Sequence, residues 1–387
     1  MMKVIVDEKT GGIIKSWCQN PEEGALDQAR NLANLPFLAG PVVLMPDTHQ
    51  GYGMPIGGVI ATVGVVIPNA VGVDIGCGMH AVRTNLTEIS VDDIKKIMSG
   101  IRETIPLGFN HRKDPLPIPD LPKDKDFRII LDEYESAKKQ IGTLGGGNHF
   151  IEIQKGSDGF IWYMVHSGSR NLGKKVADHY NKVAKAINER YFSAVPPKWD
   201  LAFLPLDIEE AQKYLTEMQY CMDFALANRD MMSRFIGLAF VIVIPGFKRE
   251  SEIDIHHNYA RMEYHKNRNM LIHRKGATSA RLNELGLIPG SQGTSSYVVR
   301  GKGNWESYDS CSHGAGRKMG RKAACNTLSL EEEVNRLNKK GIIHAIRTKD
   351  DLDEAAGAYK DIDVVMEEQK DLVDIVVKLE PLAVIKG

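Results

Sequence analysis

The sequence predicts a mixed α/β (α+β) fold, and segments with two different periodicities carry this prediction. Between residues 41 and 86, short apolar runs such as VVLM and GGVIATVGVVI alternate with glycine and proline turns, which is typical of strands in a sheet. Further along, apolar residues recur at every third or fourth position from Ile208 to Phe235, and again over residues 328–340. This spacing is typical of packed amphipathic helices, so both element types are expected.

The length of 387 residues leaves the number of domains open, because single hydrophobic cores usually stop growing at about 250–300 residues. The proline-rich stretch DPLPIPDLPKDKD, residues 114–126, is the best candidate for a linker. Sheet-like and glycine-rich segments lie on both sides of it. We therefore interpret it as a surface loop, with a domain boundary as the alternative.

Composition is typical of an ordinary soluble globular protein. The chain has 49 basic and 50 acidic residues and a formal net charge of −1, so any affinity for nucleic acid must come from local basic patches. No window reaches the ~18 apolar residues of a membrane span, and the first residues lack an apolar signal segment. The five cysteines are scattered and form no C-x-x-C pair, which is typical of reduced thiols. We expect a cytoplasmic protein without a membrane partner.

Several glycine-rich turns carry side chains that can bind metal ions. GVDIGCG places Asp74 and Cys77 on one tight turn, where a carboxylate and a thiolate can converge on an ion. Similar turns in GGGNHFIEI, VHSGSRNLG and DIHHNYA carry histidines at the ends of strand-like runs. Each histidine alone is more typical of a buried core residue. However, the chain has only 12 histidines, and a disproportionate share lie at such turns, so together they predict a metal site.

The stretch SCSHGAGRKMGRKA, residues 310–323, predicts an anion-binding loop with His313 at its entrance. Its small residues allow backbone N–H groups to approach phosphate oxygens closely. His313 could serve as a metal ligand, a proton shuttle, or a nucleophile that forms a covalent nucleotidyl intermediate at an α-phosphate. A loop histidine bonded to a carbonyl is the alternative. The cations that follow it are Arg317, Lys318, Arg321 and Lys322. In VHSGSRNLG, Arg170 and the loop amides offer a second anion contact.

Motifs along nearly the whole chain resemble, in order, those of the RtcB family of GTP-dependent RNA ligases. They are MPDTHQGYGMPIGG, VGVDIGCGM, GGGNHFIEI, VHSGSRNLG, HHNYA, IPGSQGTSSYVV, SCSHGAGR and PLAVIKG. The resemblance implies a single RtcB-like domain over residues 1–387, with a central β-sheet sandwich and surrounding helices. The chain departs from the family at Gln292, where many relatives have methionine, and it is shorter than the archaeal members.

The same resemblance implies the site residues. Residues matching the ligands of two manganese ions, with Cys77 bridging, are Asp74, Cys77, His149, His166 and His257. His257 matches in place of His256 because it immediately precedes Asn258. His313 matches the nucleophile that becomes guanylylated. Residues matching GTP contacts are Asn148, Glu152, His257, Asn258, Pro289, Gly290, Ser291, Gln292, Ser296, His313, Gly314, Ala315, Gly316 and Lys386. Donor chemistry alone favours zinc, so manganese rests on the resemblance.

The implied reaction joins RNA 3′-phosphate or 2′,3′-cyclic phosphate ends to 5′-hydroxyl ends, in tRNA splicing or RNA repair. It passes through a guanylylated histidine and an RNA(3′)pp(5′)G intermediate. RNA is the expected partner, an activating archease is a candidate partner, and a monomer is expected. A metal-dependent RNA phosphoesterase acting on cyclic phosphate ends is one alternative, but its reaction would leave His313 and Lys386 without a common role. A non-catalytic RNA end-binding protein is the other.

Local positive charge predicts the RNA contacts. Arg170 and Arg317 are candidate contacts, together with the other cations that follow His313. HKNRNMLIHRKG, residues 265–276, is a second basic stretch, for which a solvated basic face is the alternative. The cations beside the nucleophile are the stronger prediction.

Overall fold

A computed structural model describes residues 2–8, 10–121 and 127–387, and its two large sheets and surrounding helices confirm the predicted α/β class. The strands are β1 (Lys3–Val6), β2 (Ile13–Ser16), β3 (Val42–His49), β4 (Ile56–Thr62), β5 (Val65–Val66), β6 (Gly78–Thr84), β7 (Phe150–Gly156), β8 (Ile161–Ser167), β9 (Leu204–Pro205), β10 (Arg249–His256), β11 (Asn258–His265), β12 (Arg268–Lys275), β13 (Ala277–Ser279), β14 (Leu285–Ile288), β15 (Ser296–Gly301), β16 (Ser310–Ser312) and β17 (Val373–Lys386). The α-helices are α1 (Glu23–Ala33), α2 (Pro68–Val71), α3 (Val91–Thr104), α4 (Arg128–Gln140), α5 (Arg170–Arg190), α6 (Glu209–Val243), α7 (Arg321–Thr327), α8 (Leu330–Lys339) and α9 (Ile362–Glu368).

The two sheets differ in strand order and pack against each other. One has the order β1-β2-β3-β4-β12-β11, and the other has the order β10-β6-β8-β7-β17-β15-β14. Neighbouring strands are antiparallel except β2 and β3, which are parallel. A shared core joins Val43, Val59 and Ile272 of the first sheet to Tyr297 and Val299 of the second. This packing confirms the expected sheet sandwich.

The interior strand β8 is buried on both faces, which explains its continuous apolar sequence. Tyr163 and Val165 pack into a core with α3 and α6, whereas Trp162 and Met164 pack into a separate core on the opposite face. A strand covered on both sides needs no polar face, so its sequence does not alternate. The same strand carries His166 close to its end, as predicted.

The predicted helices are present with shifted ends. The helix expected from Ile208 to Phe235 is α6, which continues to Val243. The helix expected over 328–340 is α8, which begins at Leu330 because the Ser329 hydroxyl accepts a hydrogen bond from the Glu332 N–H and caps it. None of the helices within the described ranges is long and apolar enough to cross a membrane.

The proline-rich stretch 114–126 is only partly described. Residues 114–121 contain no helix or strand, in agreement with a loop, and residues 122–126 lie outside the described residues. The assignment of residues 1–387 to one domain stays a prediction.

Candidate metal centre and nucleotide cleft

The side chains predicted to bind metal lie together in one buried cluster. Cys77 Sγ lies 3.4 Å from His149 Nε2 and 3.3 Å from His166 Nε2, and these atoms are all within 4.8 Å of one another. Asp74 extends the cluster on one side, with its Oδ2 3.6 Å from His149 Nε2. His257 extends it on the other side, with its Nε2 3.4 Å from His166 Nε2. Cys77 is therefore placed between two groups of candidate ligands.

The cluster forms where adjacent strands of the seven-stranded sheet end. Cys77 closes a turn in which its N–H donates to the Asp74 carbonyl at 3.1 Å, and β6 follows directly. In the neighbouring strand, His166 lies opposite Met79 of β6 and Phe150 of β7. His257 follows β10, and its N–H donates to the Cys77 carbonyl at 2.9 Å. Sheet pairing thus brings together turns that are far apart in the sequence.

The donor set fits a divalent transition-metal ion. His166 Nδ1 lies 3.0 Å from the Asn148 carbonyl oxygen, which fixes the proton on Nδ1 and turns the Nε2 lone pair towards the cluster. Burial lowers the pKa of His166 and of His257 well below the usual value, so both imidazoles are neutral and able to bind metal. Burial and the nearby Asp74 carboxylate raise the pKa of the Cys77 thiol, and a bound cation would offset both effects.

Two buried polar residues of α6 support the cluster, and neither was singled out in the sequence. The Arg229 guanidinium donates to the carbonyls of Gly76 and Ser167, both at 3.0 Å, next to Cys77 and His166 in the chain. Asn228 Nδ2 donates to the Gly168 carbonyl at 3.0 Å. One indication of them was visible in the sequence: an apolar stripe runs through Met222 and Ala225, and two polar residues occupy the positions where this stripe would continue.

A cleft of about 790 Å³ opens beside the cluster and collects most of the predicted site residues. Those that line it are Asp74, Cys77, Asn148, Glu152, His166, His257, Asn258, Pro289, Gly290, Ser291, Gln292, His313, Gly314, Ala315, Gly316, Arg317 and Lys386. His149, Ser296 and Arg170 are outside this lining. Ser296 instead accepts a hydrogen bond from the Gly290 N–H at 3.2 Å and so supports the 289–292 turn. The volume falls in the range of small-molecule sites, about 300–1,000 Å³.

His313 is held by a buried aspartate to which no sequence pattern assigned a role. Its Nδ1 lies 2.6 Å from Asp47 Oδ2, and the Asp47 side chain is 0% exposed. The same oxygen accepts hydrogen bonds from the backbone N–H groups of His313 at 3.1 Å and Gly314 at 3.3 Å. The carboxylate favours a proton on Nδ1 and leaves the Nε2 lone pair of His313 free. The signal in the sequence was an aspartate at the end of the apolar run VVLMP.

The glycine-rich loop after His313 approaches Asp47 closely. Gly316 has a φ of 73°, and a Cβ at this position would collide with the Asp47 carbonyl oxygen. Only glycine adopts this conformation in this space without strain. Because the Gly314 N–H is already bonded to Asp47, it is less available to a phosphate than the sequence suggested.

The last strand brings Lys386 into the lining of the cleft. Lys386 lies across from Phe150 in the pairing of β17 with β7, with its Nζ 5.8 Å from the centre of the Phe150 ring. Glu152 lies two residues further along β7 and accepts a hydrogen bond from Gln154 Nε2 at 2.7 Å. Burial raises the pKa of Glu152 to about 8. His149 and Glu152 both reach the site because His149 precedes the strand, where alternation of faces does not apply.

The candidate RNA contacts occupy different environments. Arg317 Nη1 lies 2.7 Å from Glu354 Oε2 at the cleft, and Arg321 Nε lies 2.7 Å from the other oxygen of this carboxylate. Arg170 is partly buried and donates to Thr143 Oγ1 at 3.0 Å and to the Gly108 carbonyl at 3.1 Å.

The basic stretch 265–276 does not form one solvent-facing surface. Arg274 is 0% exposed and pairs with buried Glu263, so it cannot take part in such a surface. Lys275, by contrast, reaches the lining of the cleft. The alternative of one solvated basic face is therefore wrong for the stretch as a whole, and its contact with RNA stays a prediction.

The comparisons with known proteins all identify the same family, RtcB. The family model for tRNA-splicing ligase RtcB matches residues 28–131 and 121–387. The chain is 36% identical to the RNA-splicing ligase RtcB of Escherichia coli K12, with 97% of each chain covered. It is 33% identical to the tRNA-splicing ligase RtcB of Thermococcus kodakarensis, with 95% of this chain and 92% of the relative covered. It is 31% identical to RNA-splicing ligase RtcB homolog 1 of Entamoeba dispar, over 93% of this chain and 81% of the relative.

Proposed function

The chain belongs to the RtcB family, and from this we propose that it is an RNA ligase that joins 3′-phosphate or 2′,3′-cyclic phosphate ends to 5′-hydroxyl ends, in tRNA splicing or RNA repair. One observation carries the chemistry of this proposal. A histidine whose Nδ1 is fixed by a buried carboxylate lies in the same cleft as the cluster of candidate metal ligands. The ring centres of His313 and His257 are 4.9 Å apart.

In the proposed first step, the neutral Nε2 of His313 attacks the α-phosphorus of GTP. A P–N bond forms, and the bond to the pyrophosphate leaving group breaks. Positive charge develops on the imidazole, and the Asp47 carboxylate at 2.6 Å stabilises it through the Nδ1 proton. The product is a GMP–histidine phosphoramidate.

In the later steps, the 3′-phosphate of one RNA end takes GMP from His313 and forms the RNA(3′)pp(5′)G intermediate. A 2′,3′-cyclic end is first hydrolysed to the 3′-phosphate. The 5′-hydroxyl oxygen of the second RNA end then attacks the 3′-phosphorus, and GMP leaves. The result is a 3′–5′ phosphodiester bond, and His313 returns to its free form.

We propose that two manganese ions would be held by Asp74, His149, His166 and His257, with Cys77 close enough to both pairs of side chains to serve either ion. When bound, such ions would stabilise negative charge on the phosphate oxygens as Lewis acids. The protein contributes the orientation of the donors, above all through the bond from His166 Nδ1 to the Asn148 carbonyl.

We propose that Glu152 and Lys386 recognise the guanine base. Both line the same end of the cleft, where a carboxylate can accept from the N–H donors of guanine and an ammonium can donate to its carbonyl oxygen. Bonding to these N–H donors would favour the ionised form of Glu152, against the effect of its burial. Asn148, Asn258 and the 289–292 turn line the same cleft and are the proposed further contacts of GTP.

The proposal is tested by incubating the protein with manganese and GTP labelled at the α-phosphate, followed by denaturing electrophoresis. We expect label on the protein, in a bond that is stable to base and hydroxylamine and is cleaved by acid, as in a phosphoramidate. A protein that opens 2′,3′-cyclic phosphate ends and never becomes labelled would instead be a phosphoesterase. Binding of RNA without any turnover would indicate an end-binding protein.

Cys77→Ser is expected to lose at least one bound manganese ion. A serine hydroxyl stays protonated at neutral pH and cannot replace a thiolate shared between two ions. Metal content after dialysis measures the effect, and Cys221→Ser is the control because Cys221 is a buried thiol outside the cluster. Full manganese occupancy in the Cys77 variant, together with full activity, would contradict the bridging role.

Lys386→Ala is expected to weaken GTP use without changing manganese content. A charge-assisted hydrogen bond to the guanine carbonyl is worth about 1.5–3 kcal/mol. Since about 1.4 kcal/mol corresponds to a tenfold change, half-maximal guanylylation should need roughly ten- to a hundredfold more GTP. The preference for GTP over ATP, which lacks this carbonyl, should also narrow. Lys378→Ala, on the same strand but outside the lining of the cleft, is the control. Unchanged GTP dependence and purine preference would place the guanine elsewhere.

A further inference from the structure

We infer that Lys360 is a positioning residue for guanylylation, because it fixes the strand segment that carries Asp47. This inference rests on the proposed function, in which His313 is the nucleophile. Lys360 lies at the end of the segment that precedes α9, and no sequence motif drew attention to it. Its side chain binds the strand segment that carries Asp47, and its backbone binds the loop that carries His313.

The Asp47 segment lacks regular support from its own sheet. Pairing of β3 with β4 is in register up to Leu44 and resumes only at His49. Within this interruption, the carbonyls on either side of Asp47 accept hydrogen bonds from Lys360 Nζ, Pro46 at 3.1 Å and Thr48 at 2.6 Å. One ammonium therefore bridges the irregular segment at the position where a regular strand would have ladder hydrogen bonds.

The backbone of Lys360 is bonded to the loop that carries His313. The Lys360 N–H donates to the Gly316 carbonyl at 2.9 Å, and the Lys318 N–H donates to the Ala358 carbonyl at 2.9 Å. These bonds align the segment before α9 with the residues that follow His313. Lys360 thus holds the nucleophile loop through its main chain and the Asp47 segment through its side chain.

This arrangement matters because Asp47 is otherwise held mainly by the group it has to orient. Its Oδ2 accepts from His313 and Gly314, whereas its Oδ1 has no hydrogen-bond partner among the described residues. Without Lys360, the segment and the imidazole could shift together. A displacement of about 1 Å at a reacting group can cost about a hundredfold in rate. The ammonium also contacts Cys18 Sγ at 3.5 Å. Burial raises the pKa of this thiol, so it carries no charge that could hold the ammonium in place of the two carbonyls.

The test compares Lys360→Met with Lys155→Met in single-turnover guanylylation with α-labelled GTP. Lys155 is a matched control, because its ammonium also binds two backbone carbonyls, those of Thr87 and Gly159, away from the cleft. We expect Lys360→Met to slow labelling by roughly ten- to a hundredfold, with the GTP concentration for half-maximal rate and the manganese content unchanged. Lys155→Met should label at the wild-type rate. If Lys360→Met fails to fold, Lys360→Gln, which keeps an N–H donor but loses the reach and charge of lysine, should show the same selective slowing.

A double-mutant cycle separates positioning from general loss of stability. If Lys360 acts through Asp47, adding Lys360→Met to Asp47→Ala should slow labelling by less than twofold, because the side chain that Lys360 positions is already absent. Full additivity, or a wild-type labelling rate in Lys360→Met, would overturn the inference and leave the proposed function intact. Absence of label on the wild-type protein would instead overturn the proposed function.

Discussion

His313→Ala is expected to abolish both labelling of the protein by GTP and ligation of a 3′-phosphate end. The imidazole is the proposed site of the covalent bond, and alanine offers no nucleophile in its place. Manganese content should stay near the wild-type value, because the His313 Nδ1 faces Asp47 and not the cluster around Cys77. Denaturing electrophoresis and metal analysis on the same preparation measure both quantities.

The control for this variant is His344→Ala, since His344 lies outside the cleft and bonds to Asn338 and to the Ile346 N–H. It should keep full labelling. Label that persists in His313→Ala would move the nucleophile to another residue, and stability of that label to acid would exclude a phosphoramidate. Loss of manganese together with label would instead make His313 a ligand.

The sequence predicted the elements of this fold best where one periodicity dominated. The stripe of α6 was recognisable because the helix buries the residues that its spacing indicates, whereas the strand β8 was recognisable as a short continuous apolar run. The end of α6 was missed because the last turns, GLAFVIV, are apolar at nearly every position and therefore show no stripe. Local spacing cannot distinguish the end of a helix from its continuation in such a run.

The candidate ligands other than His257 could be predicted because they lie on recognisable glycine turns, although only sheet pairing explains why the turns meet. His257 lies in DIHHNYA, which contains no glycine. The residues that support the site could not be predicted in this way. Asp47 and His313 are 266 positions apart, and Lys360 and Thr48 are 312 apart. Such pairs depend on tertiary structure, and spacing within a motif contains no information about them.

Charge patterns in a sequence indicate a basic surface only where the fold leaves the charges exposed. Arg274 was part of a basic stretch in the sequence, but β12 directs it towards Glu263 of the neighbouring strand β11 in a buried ion pair. A guanidinium can be buried when a carboxylate and further hydrogen bonds compensate its charge. The carbonyl of Tyr308 and the hydroxyl of Ser310 supply these further bonds.

Asp47→Asn is expected to slow guanylylation by roughly ten- to a hundredfold, because the carboxylate charge next to His313 is lost. The asparagine carbonyl oxygen can take the place of Oδ2 and accept the same hydrogen bonds from His313 and Gly314, so the tautomer with its proton on Nδ1 is kept. A neutral amide, however, stabilises the positive charge that develops on the imidazole less than a carboxylate does. Because the shape of the side chain is kept, the GTP concentration for half-maximal rate and the manganese content should be close to the wild-type values.

The measurement that decides this prediction is the single-turnover rate of labelling at saturating GTP. Asp363→Asn is the matched control, because Asp363 also accepts a hydrogen bond, from the Tyr297 hydroxyl at 2.7 Å, but lies outside the cleft. A wild-type rate of labelling in Asp47→Asn would show that the charge of Asp47 is not needed in this step. The proposed role of the 2.6 Å contact would then be wrong.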